Sequence, residues 1–506
     1  MGHLHGTFGA RAAATWLGLA LAGIGSAHAA LCYVDAGAVG GNGGDSWANA
    51  YTDLRSALGN LDCSEIWVAE GVYKPGTAQS DNFVIGPGVA VYGGFVGTET
   101  VRDERNPDLH ITVLSADIDA NDINVDGNHI DENTDDIRGN NAWHVATMDG
   151  VTGTPVLSNT VLDGFVITAG DASSAQFPDS VGGGLLCYGI AAGHECSPTL
   201  ANLVFSGNYA EYGGAIYDNG DGGASSPQLT RIVFSGNGAS NSGGAIYNNG
   251  RNSGTSSPTL TDVLFSGNMA EYGGALVNSG EVGGFSSPIV SRATFSGNVA
   301  TYAGAVYNDG QNGTSRTTLT NVTFSDNRAT FGGAVIDNGV DGGLCAPIFT
   351  NVTFNGNGSD FGGAIYTFAV GGTSIATLSN TILWGDSVTN SGAEIYNDGG
   401  MPTIRYSIVQ GGVSGDGIDN RDGGSIVDGG GNLDADPVLD PLQNNGGFTP
   451  TLALQEGSAA IDTGDDANCP ATDQRGVARP QRLHCDIGAF ELRYDRIFSD
   501  GFDASP

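Results

Sequence analysis

The sequence has little positive charge. Lys and Arg number 18 against 55 Asp and Glu, so the formal net charge is −37, and Lys74 is the only lysine. Binding to a nucleic-acid backbone depends on cationic side chains that replace phosphate counterions. The composition therefore excludes a sequence-independent nucleic-acid-binding protein, and it argues against docking on an anionic membrane surface.

Long apolar runs are also scarce. Beyond the N-terminal region no segment offers about 20 uninterrupted apolar residues, so we predict no transmembrane helix. At the N-terminus Arg11 precedes an apolar stretch over 12–25, and the Ala-His-Ala sequence at 27–29 has the pattern of a cleavage site. We therefore predict a secretory signal peptide over residues 1–29 and an exported mature protein.

Cysteine is infrequent, with seven residues and no C-x-x-C spacing of the kind typical of zinc sites. An exported chain meets an oxidising compartment, where neighbouring cysteines form disulfides. Sequence alone does not fix the connectivity. Proximity along the chain favours the pairs Cys32–Cys63, Cys187–Cys196 and Cys469–Cys485, with Cys345 unpaired.

Glycine is abundant, with 83 residues, and much of it belongs to an internal repeat of about 30 residues. Each copy contains a Phe-x-x-Asn element followed by Gly-Gly-Ala and an aliphatic residue. The phenylalanines are Phe205, Phe234, Phe265, Phe295, Phe324 and Phe354. The asparagines are Asn208, Asn237, Asn268, Asn298, Asn327 and Asn357. The aliphatic residues are Ile216, Ile246, Leu276, Val306, Val335, Ile365 and Ile395.

One repeat contains short β-type runs broken by Gly, Asn and Ser, and it cannot bury its own apolar side. Stacked copies can, because each strand pairs with its equivalent one repeat further on. We therefore predict an all-β fold, a parallel β-helix (solenoid) with coils of about 30 residues and a rise of about 4.8 Å per coil. A propeller is excluded because its blades need about four strands in 40 or more residues.

The two ends of the chain depart from the repeat, as solenoid caps do. Tyr51, Leu54 and Leu58 lie at helical spacing after Asn49, which predicts a short N-terminal capping helix. The predicted regions are an N-terminal cap with early irregular coils at 31–160, regular repeats at 161–400, degenerate coils at 401–447, a C-terminal cap at 448–491 and a tail at 492–506.

The alternating Phe-x-x-Asn and Gly-Gly-Ala-Ile elements over about 160–400 resemble the repeat of the polymorphic outer-membrane proteins. The resemblance implies a right-handed β-helix at the outer surface of a bacterium. The ends are similar to those of bacterial "choice-of-anchor Q" secreted proteins, as in Ser-Trp-Ala-Asn-Ala-Tyr at 46–51 and Asp-Ile-Gly-Ala-Phe-Glu at 486–491. The outer-membrane family ends in a translocating β-barrel, whereas 15 residues follow Glu491, so we do not expect a self-sufficient autotransporter.

Residues 117–136 form an acidic segment with eight Asp and Glu and no Lys or Arg. Within it, oxygen-bearing side chains alternate around Gly127 as in a calcium loop. Asn133 stands where a bidentate carboxylate is expected, so Asp131 or Glu132 would have to supply it. We predict a structural calcium site, with a solvated acidic loop as the alternative. The proposed ligands are Asp122, Asn124, Asp126, Asn128, Asp131 and Glu132.

Aromatic residues form two further ladders. One ladder contains Tyr217, Tyr247, Tyr307, Tyr366 and Tyr396, and the other contains Tyr212, Tyr272, Tyr302, Phe331 and Phe361. Packing is the simplest role for both. If the first ladder faces outward, we expect a flat strip suited to sugar rings, and the variable loops at 218–225 and 248–256 would line one side of it and carry recognition.

No catalytic residue is predicted. A hydrolase needs two carboxylates on either side of the scissile bond, and the repeats place none together. Arg231, Asp262 and Arg292 share one coil position, which we interpret as a cross-strand charge stack rather than a lyase site. The predicted function is a non-catalytic, secreted or surface-associated scaffold for adhesion or for contact with carbohydrate or another cell-surface component. A β-helical polysaccharide lyase or glycoside hydrolase and a purely structural envelope protein are the alternatives.

Overall fold

The computed structural model describes residues 30–493. The predicted signal peptide at 1–29 and the chain after residue 493 lie outside the described residues. Within them the chain is an all-β parallel solenoid of about 13 turns, which confirms the predicted fold class. Equivalent residues of successive copies are paired, as Phe205, Phe234 and Phe265 show. The right-handed sense stays a prediction.

One side of the solenoid is an 18-stranded sheet, which we name the main sheet. Its strands are eight residues long in the regular coils, and coils near both ends supply it with shorter strands. The strands are Ala30–Val34, Cys63–Ala69, Gly71–Tyr73, Ala90–Phe95, Thr112–Ser115, Val161–Asp163, Val166–Thr168, Thr199–Ser206, Gln228–Ser235, Thr259–Ser266, Ile289–Ser296, Thr318–Ser325, Ile348–Asn355, Thr377–Ser379, Ile382–Leu383, Thr403–Arg405, Ile408–Val409 and Val427–Asp428.

Three other sets of strands complete the coils. The second sheet has 11 strands: Phe83–Val84, Ala146–Asp149, Leu185–Tyr188, Ile216–Asn219, Ile246–Asn249, Leu276–Ser279, Val306–Asp309, Val335–Asn338, Ile365–Phe368, Ile395–Asp398 and Ile418–Arg421. The third sheet has seven: Glu195–Cys196, Ala224–Ser225, Thr255–Ser256, Phe285–Ser286, Thr314–Ser315, Leu344–Cys345 and Thr373–Ser374. Corner strands between the main and second sheets are Asp171–Ala172, Tyr209–Tyr212, Gly238–Ser242, Gly358–Phe361 and Ser387–Ser391.

Each eight-residue strand of the main sheet bends at its fourth residue, which has left-handed backbone angles. In successive coils φ at this position is between 48° and 58°. Asn and Asp adopt such angles more readily than other residues because their short side chains bond locally, which fits five of the seven residues. The residues are Asn202, Arg231, Asp262, Arg292, Asn321, Asn351 and Asn380.

The interior of the solenoid contains the ladders that the repeat predicts. The six repeat phenylalanines are fully buried and stack on one another, with ring centroids 4.5–5.2 Å apart. The buried asparagines bond to one another: Asn208 Nδ2 donates to Asn237 Oδ1 at 3.0 Å, and each coil repeats this contact. The carboxylate of Asp386 ends the amide ladder by accepting from Asn357 at 2.8 Å.

The predicted N-terminal helix is present but begins later than expected. The helix spans Leu54–Leu58, and Asp53 rather than Asn49 caps it by accepting from the backbone N–H of Arg55. Asn49 instead ends a 3-10 helix, because its side chain accepts from Gly41. The 3-10 helices are Trp47–Asn49, Arg102–Glu104, Thr134–Asp136 and Asp466–Asn468.

Two of the three predicted disulfides are formed, Cys32–Cys63 and Cys187–Cys196. The third prediction is wrong for this structure: Cys469 and Cys485 are free thiols. They lie in hydrogen-bond contact with each other, so proximity was predicted correctly and the covalent bond was not. Cys345 is free and buried, as expected.

The C-terminal region does not continue the coils. Residues 438–493, which we name the strap, begin as a hairpin and then run along the outward face of the main sheet. The segment predicted as a cap at 448–491 therefore lies beside the coils. Hydrogen bonds from the main sheet to strap carbonyl groups join Asn380 to Asp465, Asn351 to Asp486 and Gly488, Asn321 to Thr472, and Thr294 to Pro450.

Two ion pairs stabilise the strap from within. Arg479 bonds Glu491 at 3.1 Å with both side chains buried, and Arg475 bonds Asp473 at 2.7 Å. Between residues 30 and 493, no helix is both long enough and apolar enough to cross a membrane.

Candidate functional site

The outward face of the second sheet carries the tyrosine ladder that the sequence predicts. Along each strand the aliphatic repeat residue points into the core, and the next residue points outward, so Ile216 is internal and Tyr217 external. We name this set the floor ladder. Its members are Tyr217, Tyr247, Val277, Tyr307, Ile336, Tyr366 and Tyr396, paired in register through successive coils.

The second aromatic ladder stands beside the floor ladder, at the corner before each double glycine. We name it the corner ladder, and its members are Tyr212, Ser242, Tyr272, Tyr302, Phe331 and Phe361. Its rings stack along the axis, with centroids 4.7 Å apart for Tyr272–Tyr302 and 5.3 Å for Tyr302–Phe331. A residue with positive φ, usually glycine, follows each of these positions and turns the chain into the second sheet.

The two ladders meet edge to face. Tyr272 contacts Tyr307 at 5.6 Å and 84°, and Phe331 contacts Tyr366 at 5.9 Å and 88°. Rings within one ladder lie nearly parallel, so the face of each ring mainly contacts the neighbouring ring of the same ladder. The rings therefore pack against one another, which is the simplest role expected of both ladders, and they do not form a flat strip of ring faces. The ring edges face solvent instead, because each ring face already contacts the next ring of its ladder.

Exposure divides the floor ladder. Tyr217 and Tyr247 are only 7% and 5% exposed, so these two predicted binding residues offer little surface to a ligand. Tyr307, Tyr366 and Tyr396 are half-buried and line the outer surface. All five tyrosines thus lie in one ladder, but only Tyr307, Tyr366 and Tyr396 are clearly accessible to solvent.

A groove runs between the corner ladder and the loops that follow the second sheet, as the sequence predicts for these loops. Its N-terminal compartment has a volume of about 740 Å³ and its C-terminal compartment about 570 Å³. The N-terminal lining is Phe177, Ile190, Ala191, Tyr212, Tyr217, Asn219, Asp221, Gly222, Tyr247, Asn249, Arg251 and Asn252. The C-terminal lining is Tyr272, Tyr302, Tyr307, Gln311, Phe331, Ile336, Asn338, Val340, Asp341, Tyr366, Phe368 and Val370.

An ion pair separates the two compartments. Arg251 Nε lies 3.3 Å from a carboxylate oxygen of Glu281, and Ser279 donates to the same carboxylate at 3.0 Å. Val277 interrupts the tyrosines of the floor ladder in this coil. Partial burial disfavours the charged guanidinium, but the combined effect of Glu281, Tyr247, Asp221 and Tyr217 outweighs burial and raises the pKa of Arg251. Arg251 is the one arginine among the lining residues, and the carboxylate of Glu281 already balances its positive charge.

The tyrosine hydroxyls of the floor ladder are protonated at neutral pH. Burial raises the pKa of Tyr217, Tyr307 and Tyr366, and neighbouring ionisable side chains add to the effect. The Tyr217 and Tyr307 hydroxyls accept from the amides of Asn249 and Asn338, at 2.9 and 3.1 Å. Each hydroxyl therefore keeps its proton, and the half-buried Tyr307 and Tyr366 can donate theirs to a ligand.

Among the residues that line the two compartments, no two carboxylates lie at catalytic separation. Asp221 and Asp341 are the carboxylates among these lining residues, and four coil steps separate them, on the order of 19 Å. A glycosidase needs a separation below about 10 Å. Asp218 and Asp337 point into the core and are fully buried, and burial raises the pKa of each to about 7. They are inaccessible to a substrate in the groove.

The charge stack predicted on the main sheet is formed in part. Arg292 makes two bonds of 2.7 Å to the carboxylate of Asp262 in the preceding coil. Arg231 instead donates to Asn202 at 3.1 Å, and its guanidinium lies 4.7 Å from the ring centroid of Phe448 at the tip of the strap. This ladder contributes cross-strand and strap contacts.

The predicted calcium ligands occupy one acidic loop, where Asp122 and Asp131 point inward. Asp122 accepts from the backbone N–H of Arg138 at 2.5 Å and from the amide of Asn141 at 2.6 Å. Asp131 is buried, and burial together with the Asp122 carboxylate raises its pKa to about 8.

The other predicted ligands bond within the loop. Asp126 and Glu132 both accept from the Asn128 amide, at 2.8 and 3.3 Å, and Asn124 contacts His129. Across residues 30–493 no group of three or more His, Cys, Asp or Glu side chains is arranged to hold a metal ion. Calcium binding at this loop stays a prediction.

Comparison with known proteins identifies the repeat. Residues 202–224, 231–249 and 351–367 match the Chlamydia polymorphic membrane protein (Chlamydia_PMP) repeat. Each matched segment runs from the bend of a main-sheet strand through the corner into the second sheet, so the similarity includes members of both aromatic ladders in three coils. No curated protein matches the chain. The likeness of the chain ends to choice-of-anchor Q proteins stays a prediction.

Sequence reasoning missed two features of the groove. Ser242 breaks the corner ladder, Val277 and Ile336 break the floor ladder, and an ion pair lies in the loops that follow Tyr247 and Val277. Alignment of the copies by their Gly-Ala elements would have shown these breaks. The same alignment would have shown the Arg251–Glu281 pair, because the two residues occupy equivalent positions in loops of equal length.

Proposed function

We propose that the protein is a surface-associated, non-catalytic β-helical scaffold that binds an extended partner along the aromatic groove. The observation that carries the proposal is an aromatic ridge, unbroken from Tyr272 to Phe361, which the chain leaves open while its strap covers another face. Open aromatic surface of this extent is unusual on a protein without a partner.

Surface association draws support from the repeat. Three segments are similar to a repeat of a polymorphic membrane protein. The predicted export signal and the acidic composition agree with an exterior location. Labelling intact source cells with an antibody tests this part of the proposal: we expect surface signal without permeabilisation, and signal only after permeabilisation would contradict it.

A binding rather than a catalytic role draws support from the arrangement of ionisable groups. The lining carboxylates are far apart, and the lining arginine is paired. A lyase or hydrolase needs an acid and a base that reach the same bond. Polysaccharide lyase assays and reducing-end assays test this point, and turnover would overturn the non-catalytic assignment.

The groove itself is tested with arrays of glycans and cell-surface proteins. The chain should bind a partner, and the double variant Tyr302→Ala/Phe331→Ala should lose that partner. Tyr406→Ala is the matched control, since Tyr406 is 39% exposed but lies outside the groove. Equal binding by both variants would place recognition elsewhere, and no binding at all would favour a purely structural envelope role.

A further inference from the structure

In the C-terminal compartment of the groove, aromatic side chains recur at regular intervals along the solenoid axis. Its corner wall contains Tyr272, Tyr302 and Phe331, which are one coil apart and stacked at 4.7 and 5.3 Å. Coils rise by about 4.8 Å, so the same kind of group recurs at that interval. A ligand built from identical units of similar length can make the same contact in each coil, whereas a folded protein partner cannot.

The compartment combines apolar surface with hydroxyl donors. Phe368 and Val370 are 36% and 48% exposed on the loop side, and Ile336 lies on the floor. The Tyr307 and Tyr366 hydroxyls stay protonated and face the same space. Apolar patches that meet C–H groups, flanked by hydroxyl donors, suit the amphipathic surface of a sugar chain.

Charge around the compartment disfavours an acidic ligand. Asp341 is the one charged residue among the described residues that line it, and its carboxylate already accepts from Gln311 at 2.6 Å. Glu281 stands at the N-terminal end, and Asp398 contributes negative potential near Tyr366. A polyuronate would bring further carboxylates into this field without an unpaired cation to meet them.

We infer that the C-terminal compartment binds a linear, uncharged polysaccharide that lies parallel to the solenoid axis. This inference rests on the proposed function and adds the ligand class and its direction. The corner ladder forms one wall and the Phe368–Val370 side the other, so the long dimension of the space follows the coils. The Arg251–Glu281 pair bounds the site at its N-terminal end.

Affinity electrophoresis of the full chain tests the inference. Gels contain a neutral β-glucan, polygalacturonate or no polysaccharide. We expect retardation by the β-glucan alone. Phe368→Ala and Tyr302→Ala should each raise the apparent Kd about tenfold, the effect of losing roughly 1.4 kcal/mol of contact. Tyr406→Ala should leave the Kd unchanged, and added salt should change it little, since an uncharged ligand has no counterions to release.

The remaining outcomes separate the inference from the proposed function. Tighter retardation by polygalacturonate, lost in the groove variants, would overturn the inference and leave the groove as a binding site. Equal retardation of wild type and groove variants by the β-glucan would overturn the assignment to this compartment. Absence of any retardation would overturn the inference, and the proposed function would then fall only if the arrays also gave no groove-dependent partner.

Discussion

The chain covers one outward face of its coils and leaves another outward face open. On the main sheet the strap covers Thr294, Thr323 and Thr353, which are fully or almost fully buried. At the corner beside the second sheet, Tyr302 and Phe331 stay half-exposed at the edge of an open groove. The covered face is polar at these threonines and apolar at Ile382 and Ile408, which pack against the strap, whereas the open face is aromatic.

Hydrogen bonding explains the covered face. The strap has little regular secondary structure, so its backbone groups need partners, and the main sheet supplies them from side chains. In coils where this position makes no hydrogen bond to the strap, it is apolar, as at Val204, Val233 and Leu264. The difference indicates that the threonines serve the strap. Within residues 30–493 no segment covers the groove in this way, and the proposed recognition role draws on that difference.

The largest predicted effect is a difference in stability between a variant in the core and a variant in the groove. Phe295 is fully buried between stacked phenylalanines, so Phe295→Ala should lower the free energy of unfolding by about 3–5 kcal/mol through lost contacts and a cavity. Tyr302→Ala, at the half-exposed ridge, should cost clearly less. Denaturant unfolding of both variants measures this, and similar losses would contradict the assignment of Tyr302 to an open surface.

A second variant separates the strap from the groove. Buried Gln474 donates to Thr294, Thr449 and Pro450 and accepts from Thr323. Gln474→Ala leaves buried hydroxyls unpaired and should destabilise the strap by about 1–3 kcal/mol. Hydrogen exchange should rise over 440–490 and stay unchanged in the second sheet, while ligand binding by the groove is retained. Loss of binding would show that the two faces are coupled.

A third prediction concerns pH. Burial raises the pKa of Asp337 from 3.8 to about 7, so the folded state binds a proton that the unfolded state has released. Its contribution to stability is complete below about pH 4 and declines as pH rises towards 7. Unfolding at pH 5 and pH 8 should show this decline in the wild-type protein.

Asp337→Asn provides the matched control for the pH effect. Asn248, Asn278 and Asn308 occupy this ladder position in the preceding coils, and Asn308 donates to Asp337 at 2.9 Å. An amide keeps that bond and adds a donor towards Thr367, whose hydroxyl has no partner. The variant should gain on the order of 2–4 kcal/mol at pH 8 and much less at pH 4. A gain independent of pH would contradict the titration of Asp337.

The smallest predicted effect is at the surface ion pair of the main sheet. The bond between Arg292 and Asp262 is bidentate, but both side chains are partly exposed. Asp262→Asn should therefore cost less than about 1 kcal/mol, and added salt should reduce the difference. A larger loss would mean that this ladder has a structural role beyond cross-strand pairing.

The repeat made the coils predictable from the sequence. It carried no information about the strap. Phe205 and Ile216 recur with fixed spacing, and stacking requires such positions to face inward, so the sequence indicated both the fold and the ladders. The strap is not part of the repeat, and its contacts join residues about 150 apart in sequence, as between Thr323 and Gln474. Local patterns contain no information about such a pairing.

The groove was predictable only in outline. The sequence indicated an aromatic ladder and a wall of loops, and both are present. It did not show that the rings of Tyr272 and Tyr302 would stack on each other and leave their edges outward, because ring orientation depends on packing between coils. Nor did it show the near-complete burial of Tyr217 and Tyr247, which neighbouring side chains produce.

The central claim is that the open aromatic face is the recognition surface and the strap-covered face is not. Hydrogen exchange of the full chain with and without the neutral β-glucan, at saturating concentration, tests it most directly. We predict slower exchange in the segments 302–311 and 331–341, which line the groove, and no change in the main-sheet strands Ile289–Ser296 and Thr318–Ser325. Protection confined to the main sheet or the strap would contradict the claim.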